Sequence, residues 1–244
     1  MTPPSSAYTF EICVETPVAL RSAAPFADRI ELCAALDLGG LTPDAGLMRM
    51  AAELDVETHV LIRPRSGDFA MSPDDLVVAV TSIQAAQSMG LKGVVIGAEH
   101  NGKLDKSALE EMIGAANGMD VTLHRVIDIL DDMDAALELA IDLGMDRILT
   151  SGGAKTAAEG SKRLTELHQL ANGRIEIMAG SGINSQTLLH LLASNPITSF
   201  HASCTTKTAM RERYAALGFG SFSREFDPSE AQNIKTLLTG QPST

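Results

Sequence analysis

The sequence has no tryptophan, two tyrosines and only three cysteines among 244 residues. It has no apolar run near the roughly 18 to 20 residues that a spanning helix needs, so no membrane partner is expected. Clustered lysine or arginine is also missing. With 31 acidic against 19 basic side chains the net charge is −12, and such a surface repels phosphate backbones and anionic lipid, which excludes nucleic acid as a partner. The cysteines, Cys13, Cys33 and Cys204, are an odd number without a CxxC pair, which argues for reduced thiols rather than a disulfide framework. The opening Met1-Thr2-Pro3-Pro4-Ser5-Ser6 lacks the charged and apolar regions of a signal peptide, so a cytoplasmic location is expected. No GxGxxG follows the first β-rich run, and neither HExxH nor a nucleophile elbow occurs; no organic cofactor is predicted.

What is present is a regular alternation of short β-rich runs with longer amphipathic segments. Eight strands are predicted, at Phe10–Val14, Asp28–Cys33, Glu57–Arg63, Gly93–Gly97, Asp120–Arg125, Asp146–Thr150, Arg174–Ala179 and Thr198–Ala202. Helical stretches lie near 17–26, 44–54, 73–89, 105–116, 132–143, 156–171, 185–193 and 228–238. Thr42-Pro43-Asp44 predicts a helix with proline in its first turn, Ser72-Pro73-Asp74-Asp75 supplies a cap, and Gly90, Gly118 and Gly144 mark helix ends. Ala27-Asp28-Arg29-Ile30-Glu31-Leu32 is echoed by Met145-Asp146-Arg147-Ile148-Leu149-Thr150, with Asp28 and Asp146 118 residues apart. Aligning Cys13 with His124 gives an offset of 111, so the chain reads as two four-unit halves. Eight βα units in one domain point to an α/β fold, a TIM (β/α)8 barrel over 9–239, with a disordered tail at 1–8 and a second tail at 240–244. A doubly wound open sheet is the competing architecture.

Strand alternation turns Arg29, Glu31 and Cys33 into the lumen when Ile30 and Leu32 face the helices. The same phasing sends Glu11, Cys13, His59, Arg63, Thr122, His124, His201 and Ser203 inward. Buried ions must pair with one another or await a ligand, and a closed Glu–Arg network would satisfy them as well as a live site. Arg63 and Arg65 flank a proline-rigid turn and suit a carboxylate or phosphate. The turns Ser151-Gly152-Gly153 and Gly180-Ser181-Gly182 offer bare N–H groups for an anion, although tight βα turns need such glycines anyway. His124, with Asp128 nearby, and Glu31 are candidates for moving a proton, while His100, His168 and His190 read as surface residues. Cys13 and Cys33 on adjacent strands could share a soft ion such as Cu(I), with Cys204 as a third sulfur; packing alone would also account for two small thiols.

The segments Glu11-Ile12-Cys13-Val14-Glu15, Asp28-Arg29-Ile30-Glu31-Leu32-Cys33, Gly39-Gly40-Leu41-Thr42-Pro43, Ile62-Arg63-Pro64-Arg65-Ser66-Gly67-Asp68-Phe69, Leu123-His124-Arg125, Arg147-Ile148-Leu149-Thr150-Ser151-Gly152 and Phe200-His201-Ala202-Ser203 occur in the order of the CutC family, which the chain resembles from about Phe10 to beyond Cys204. The resemblance implies a TIM barrel, a cytoplasmic protein that self-associates as a homo-oligomer, and copper homeostasis through Cu(I) held at Cys13 and Cys33. Two readings of function stand. In the first, the thiols bind copper. In the second, an enzyme of lyase, isomerase or hydrolase type acts on a small anionic metabolite, with Arg63, Arg65, Ser151, Gly152, Gly180, Ser181, Gly182 and His201 binding it and Glu31 or His124 moving a proton.

Overall fold

A computed structural model describes residues 8–240 of the chain. Eight parallel strands close into a barrel: β1 (Thr9–Val14), β2 (Arg29–Leu32), β3 (Glu57–Leu61), β4 (Gly93–Ile96), β5 (Asp120–Leu123), β6 (Arg147–Thr150), β7 (Glu176–Ala179) and β8 (Ser199–Ala202). They follow one another around the barrel, and β8 pairs with β1 to close it. Helices α1 (Pro17–Ala23), α2 (Ala45–Ala51), α3 (Pro73–Ser88), α4 (Lys106–Ala115), α5 (Met133–Asp142), α6 (Ser161–Ala171) and α7 (Ser185–Ser194) connect consecutive strands. A short α8 (Glu212–Ala216) and the final α9 (Pro228–Thr239) follow β8. This is the TIM barrel expected from the alternation: the eight strands close on themselves instead of forming the competing doubly wound open sheet. Of the expected tails, 1–7 and 241–244 lie outside those residues. Tyr8 packs its ring 6.1 Å from that of Phe200, and Gly240 caps α9.

The core lies between barrel and helices, where Ile12, Leu32, Val60, Ile96, Leu123 and Ile148 meet apolar helix faces. Local signals set the helix starts. Ser72 and Asp75 form a reciprocal capping box ahead of α3, satisfying two of the N–H groups a helix leaves open. At α2 the cap is Asp44, which accepts from Leu47 N–H, so Pro43 precedes the helix rather than entering its first turn. The repeat reaches individual hydrogen bonds: Asp28 accepts from Phe10 N–H in one half, and Asp146 accepts from Val121 N–H in the other. These pairs carry the same offsets, 111 and 118, as the sequence echo.

Several edges differ from expectation. β3 and β5 stop at Leu61 and Leu123 because the chain turns there; His124 caps a short 3-10 turn, Arg125–Ile129. Two antiparallel hairpins, Glu99–His100 with Lys103–Leu104 and Thr205–Ala209 with Phe222–Phe226, sit outside the barrel. The second encloses α8, a helix with no buried residue and so no apolar stripe to reveal it.

Candidate functional site

Register decides which polar side chains meet. Glu11 on β1 stands opposite Arg29 on β2 and His201 on β8, while Cys13 stands opposite Glu31, and Glu31 opposite His59. Glu11 is fully buried and bonds both neighbours, with Arg29 Nε at 2.5 Å from Oε2 and His201 Nδ1 at 2.6 Å from Oε1. Burial opposes its charge, yet the His201 hydrogen bond and the Arg29 guanidinium hold its carboxyl well below the usual range. Burial also works against a charged His201, but Glu31, Cys13 and Glu11 raise its pKa well above the ordinary value. Burial is the main cause that raises Glu31. Nearer the N-terminal ends of the strands, Arg147 approaches Asp120 and Glu176, and His59 Nε2 lies 3.0 Å from Glu57 Oε1. Part of the inward charge therefore forms the ion-pair network that sequence left open.

Toward the C-terminal ends the pairing is incomplete. Cys13, Glu31, Leu36, Gly39, Leu61, Arg63, Phe69, His124, Arg125, Leu149 and His201 line one cavity of about 160 Å³. Cys13 Sγ lies 3.4 Å from Cys33 Sγ and 3.4 Å from Glu31 Oε1. The two cysteines are not at one level of the sheet, since Cys13 faces Glu31, but their side chains meet across the diagonal. A metal–thiolate bond is about 2.3 Å, so both sulfurs can reach one ion. The Cys33 hydrogen bond and burial push the Cys13 thiol well up. At Cys33 the hydrogen bond from Cys13 pulls the other way, and burial with the Glu31 charge outweighs it. Cys204 is no third ligand: it packs in the main core, and burial pushes its thiol up to about 12.

His124 is buried against Phe69, their ring centres 4.8 Å apart, and its Nδ1 accepts from Val126 N–H. Burial and the neighbouring Arg63 charge lower its pKa to about 3, so the ring is neutral at physiological pH. Asp128 is not its partner. That carboxylate accepts from Thr150 Oγ1, from the N–H groups of Ser151 and Gly153, and from Arg125 Nε. The Ser151-Gly152-Gly153 cradle thus already holds an anion from its own chain, and Gly152 N–H donates to Thr150 Oγ1.

The two arginines expected to act together part company. Arg63 reaches the cavity, with Nη1 on the carbonyls of Leu38 and Gly40 and Nη2 on that of Gly67. Arg65 is exposed and ties its own loop together through Asp68, Asp75 and the Ala70 carbonyl. Gly180 is buried where a Cβ would lie 2.4 Å from Leu149, so it permits strand contact. Ser181 and Gly182 line a neighbouring depression of about 350 Å³ that shares Leu36, Arg125 and His201 with the cavity. Phe69 and Arg125 are cavity residues that side-chain chemistry alone did not single out; Phe69 closes the Arg63-Pro64-Arg65 loop, and its order beside that motif was the available signal.

The profile of the CutC family matches residues 8–206. A CutC family protein of Agrobacterium fabrum is 48% identical over 94% of this chain and 93% of its own length, and one of Rhizobium meliloti is 47% identical over 95% of each. The crystal structure of CutC from Streptococcus agalactiae superposes with a TM-score of 0.75 at 27% identity, covering 80% of this chain and 98% of that one. A deoxyribose phosphate aldolase from Aeropyrum pernix, at 15% identity and a TM-score of 0.59 over 81% of this chain and 86% of its own, shares the fold alone. With the profile covering most of the barrel and relatives near half identical along almost the whole sequence, the chain belongs to the CutC family.

Proposed function

We propose that this protein takes part in copper homeostasis by binding Cu(I) between Cys13 and Cys33. The observation that carries the reading is the approach of the two sulfurs to 3.4 Å, with Glu31 Oε1 equally near Cys13, where Cys13 and Glu31 line a cavity at the C-terminal ends of the strands and Cys33 lies buried behind Cys13. Two thiolates suit a soft monovalent ion, and a reducing cytoplasm is where such thiols and such an ion persist. The Streptococcus agalactiae relative carries the name of a copper homeostasis protein, which supports the same assignment. Because both thiols are held protonated by their surroundings, copper uptake releases protons and tightens as pH rises. Self-association belongs to this reading and is supported by Leu217 and Phe219, which stand exposed beside α8.

The test is an anaerobic Cu(I) titration against a competing chelator, on the wild type and on the Cys13→Ser/Cys33→Ser variant. One tightly bound Cu(I) in the wild type and none in the folded variant is the expected result. Equal binding by both overturns the assignment.

A further inference from the structure

Copper at the thiols leaves the opposite wall of the cavity unexplained. Arg63 Nε, His124 Nε2 and Glu31 Oε2 are buried and have no hydrogen-bond partner, and all three residues line the same space. Their exposures are 7%, 5% and 5%. A buried polar group left unpaired is costly and native proteins keep few of them, so three around one cavity point to a bound molecule.

Each atom has a defined role. Three of the five N–H groups of Arg63 are engaged with loop carbonyls, and the cationic Nε–H remains without a partner. Because His124 Nδ1 accepts from Val126, the neutral ring carries its proton on Nε2 and offers a second donor. Phe69 lies between these groups, 4.8 Å from the His124 ring centre and with Arg63 Cζ 5.0 Å from its own. Glu31 Oε2 belongs to the thiol side of the space.

We propose that this cavity binds a small hydroxycarboxylate, its carboxylate accepting from Arg63 Nε and His124 Nε2 and its hydroxyl donating to Glu31 Oε2. A planar singly charged carboxylate matches two donors and one positive charge. A phosphate asks for a nest of N–H groups, and in the turn after β6 that nest is filled by Asp128. The neutrality of His124, set by burial and by Arg63, keeps it a donor without added charge. Size agrees: a cavity of about 150 Å³ holds benzene, so about 160 Å³ takes six to eight non-hydrogen atoms, with Leu36, Leu61 and Leu149 around a short carbon chain.

The full chain, with copper chelated throughout so that the result stands apart from the metal reading, is titrated with lactate, pyruvate and inorganic phosphate. Calorimetry and the imidazole nitrogen signals of His124 provide the readouts. Saturable binding of lactate with a Kd of about 1 mM or tighter, a shift of the His124 Nε2 signal, weaker binding of pyruvate, which has no hydroxyl to donate, and no comparable effect of phosphate are expected. His124→Asn should weaken binding at least tenfold. Arg63→Gln risks the loop it holds, so the wild-type signals and the His124 variant decide. No shift with lactate, pyruvate bound as tightly as lactate, undiminished binding in His124→Asn, or tighter binding of phosphate overturns the proposal.

Discussion

Replacing Glu11 with glutamine changes one oxygen to an amide and keeps the volume, so its effect isolates charge and hydrogen bonding. The wild-type carboxylate accepts at both oxygens, from Arg29 Nε and from His201 Nδ1. An amide has one acceptor oxygen, and its NH2 group must then face one of these two donors. Arg29 would retain Met178 Sδ at 3.4 Å and the half-exposed Glu57 at 3.7 Å, neither a replacement for a charge at 2.5 Å. Breaking a buried ion pair from one side costs about 3–5 kcal/mol because the partner charge stays buried. In a chain of this size about 2–4 °C is lost per kcal/mol, so the melting temperature should fall by about 6–20 °C. Urea unfolding followed by circular dichroism measures the loss. A cycle with Arg29→Met should show the double variant less destabilised than the two singles summed, by about 1 kcal/mol or more. A Glu11→Gln variant within about 1 kcal/mol of wild type, or an additive cycle, would refute the claim that this pair is held by complementary charge.

Two further outcomes follow from the geometry. The pKa of His124 drops from 6.5 to about 3 in the folded protein, so below pH 6.5 the unfolded chain takes up a proton that the native state refuses. Stability therefore falls as pH drops through that window, by up to about 1.4 kcal/mol per pH unit. Urea unfolding at pH 7.5 and 4.5 should show the gap between wild type and His124→Asn narrowing by about 2.7 kcal/mol at the lower pH; a constant gap would mean an ordinary histidine. Asp128→Ala removes the acceptor for Thr150, Ser151, Gly153 and Arg125, and should cost about 3–5 kcal/mol. Added sulfate should restore more of the melting temperature in that variant than in wild type, and equal responses would show that the turn is no anion cradle.

The barrel was legible because its signal is redundant. Eight period-two runs, seven intervening helices and an echo at offsets of 111 and 118 all point to one closed sheet, and the matching Asp28 and Asp146 hydrogen bonds show that the echo is structural. The excursion through α8 was illegible for the opposite reason: it buries nothing, so it needs no hydrophobic period. Two glycines carry information that no periodicity could show. A Cβ on Gly93 would sit 2.5 Å from the His59 ring, and one on Gly97 would sit 2.3 Å from that of His124. These positions are bare because an imidazole crosses the lumen from the neighbouring strand, and the crossing is visible only once register is known.

Within the site, strand phase separated inward from outward correctly for Glu11, Cys13 and Glu31, since alternation is fixed by the pleat, whereas Arg63 and His124 lie past the ends of their strands. Loops obey no such period. Arg63 and Arg65 are alike in charge and two residues apart, yet one is locked under Leu38 and Gly67 while the other closes a surface loop on Asp68 and Asp75. The same limit hid Asp128. A glycine-rich turn after a barrel strand advertises N–H groups, but whether they await a ligand depends on whether the chain brings its own carboxylate to them. Here it does, and that acceptor fills the cradle after β6 while Arg63 Nε and His124 Nε2 stay unmatched in the cavity. The distinction between a site and a finished network is thus drawn by which buried donors lack acceptors, not by how many charges point inward.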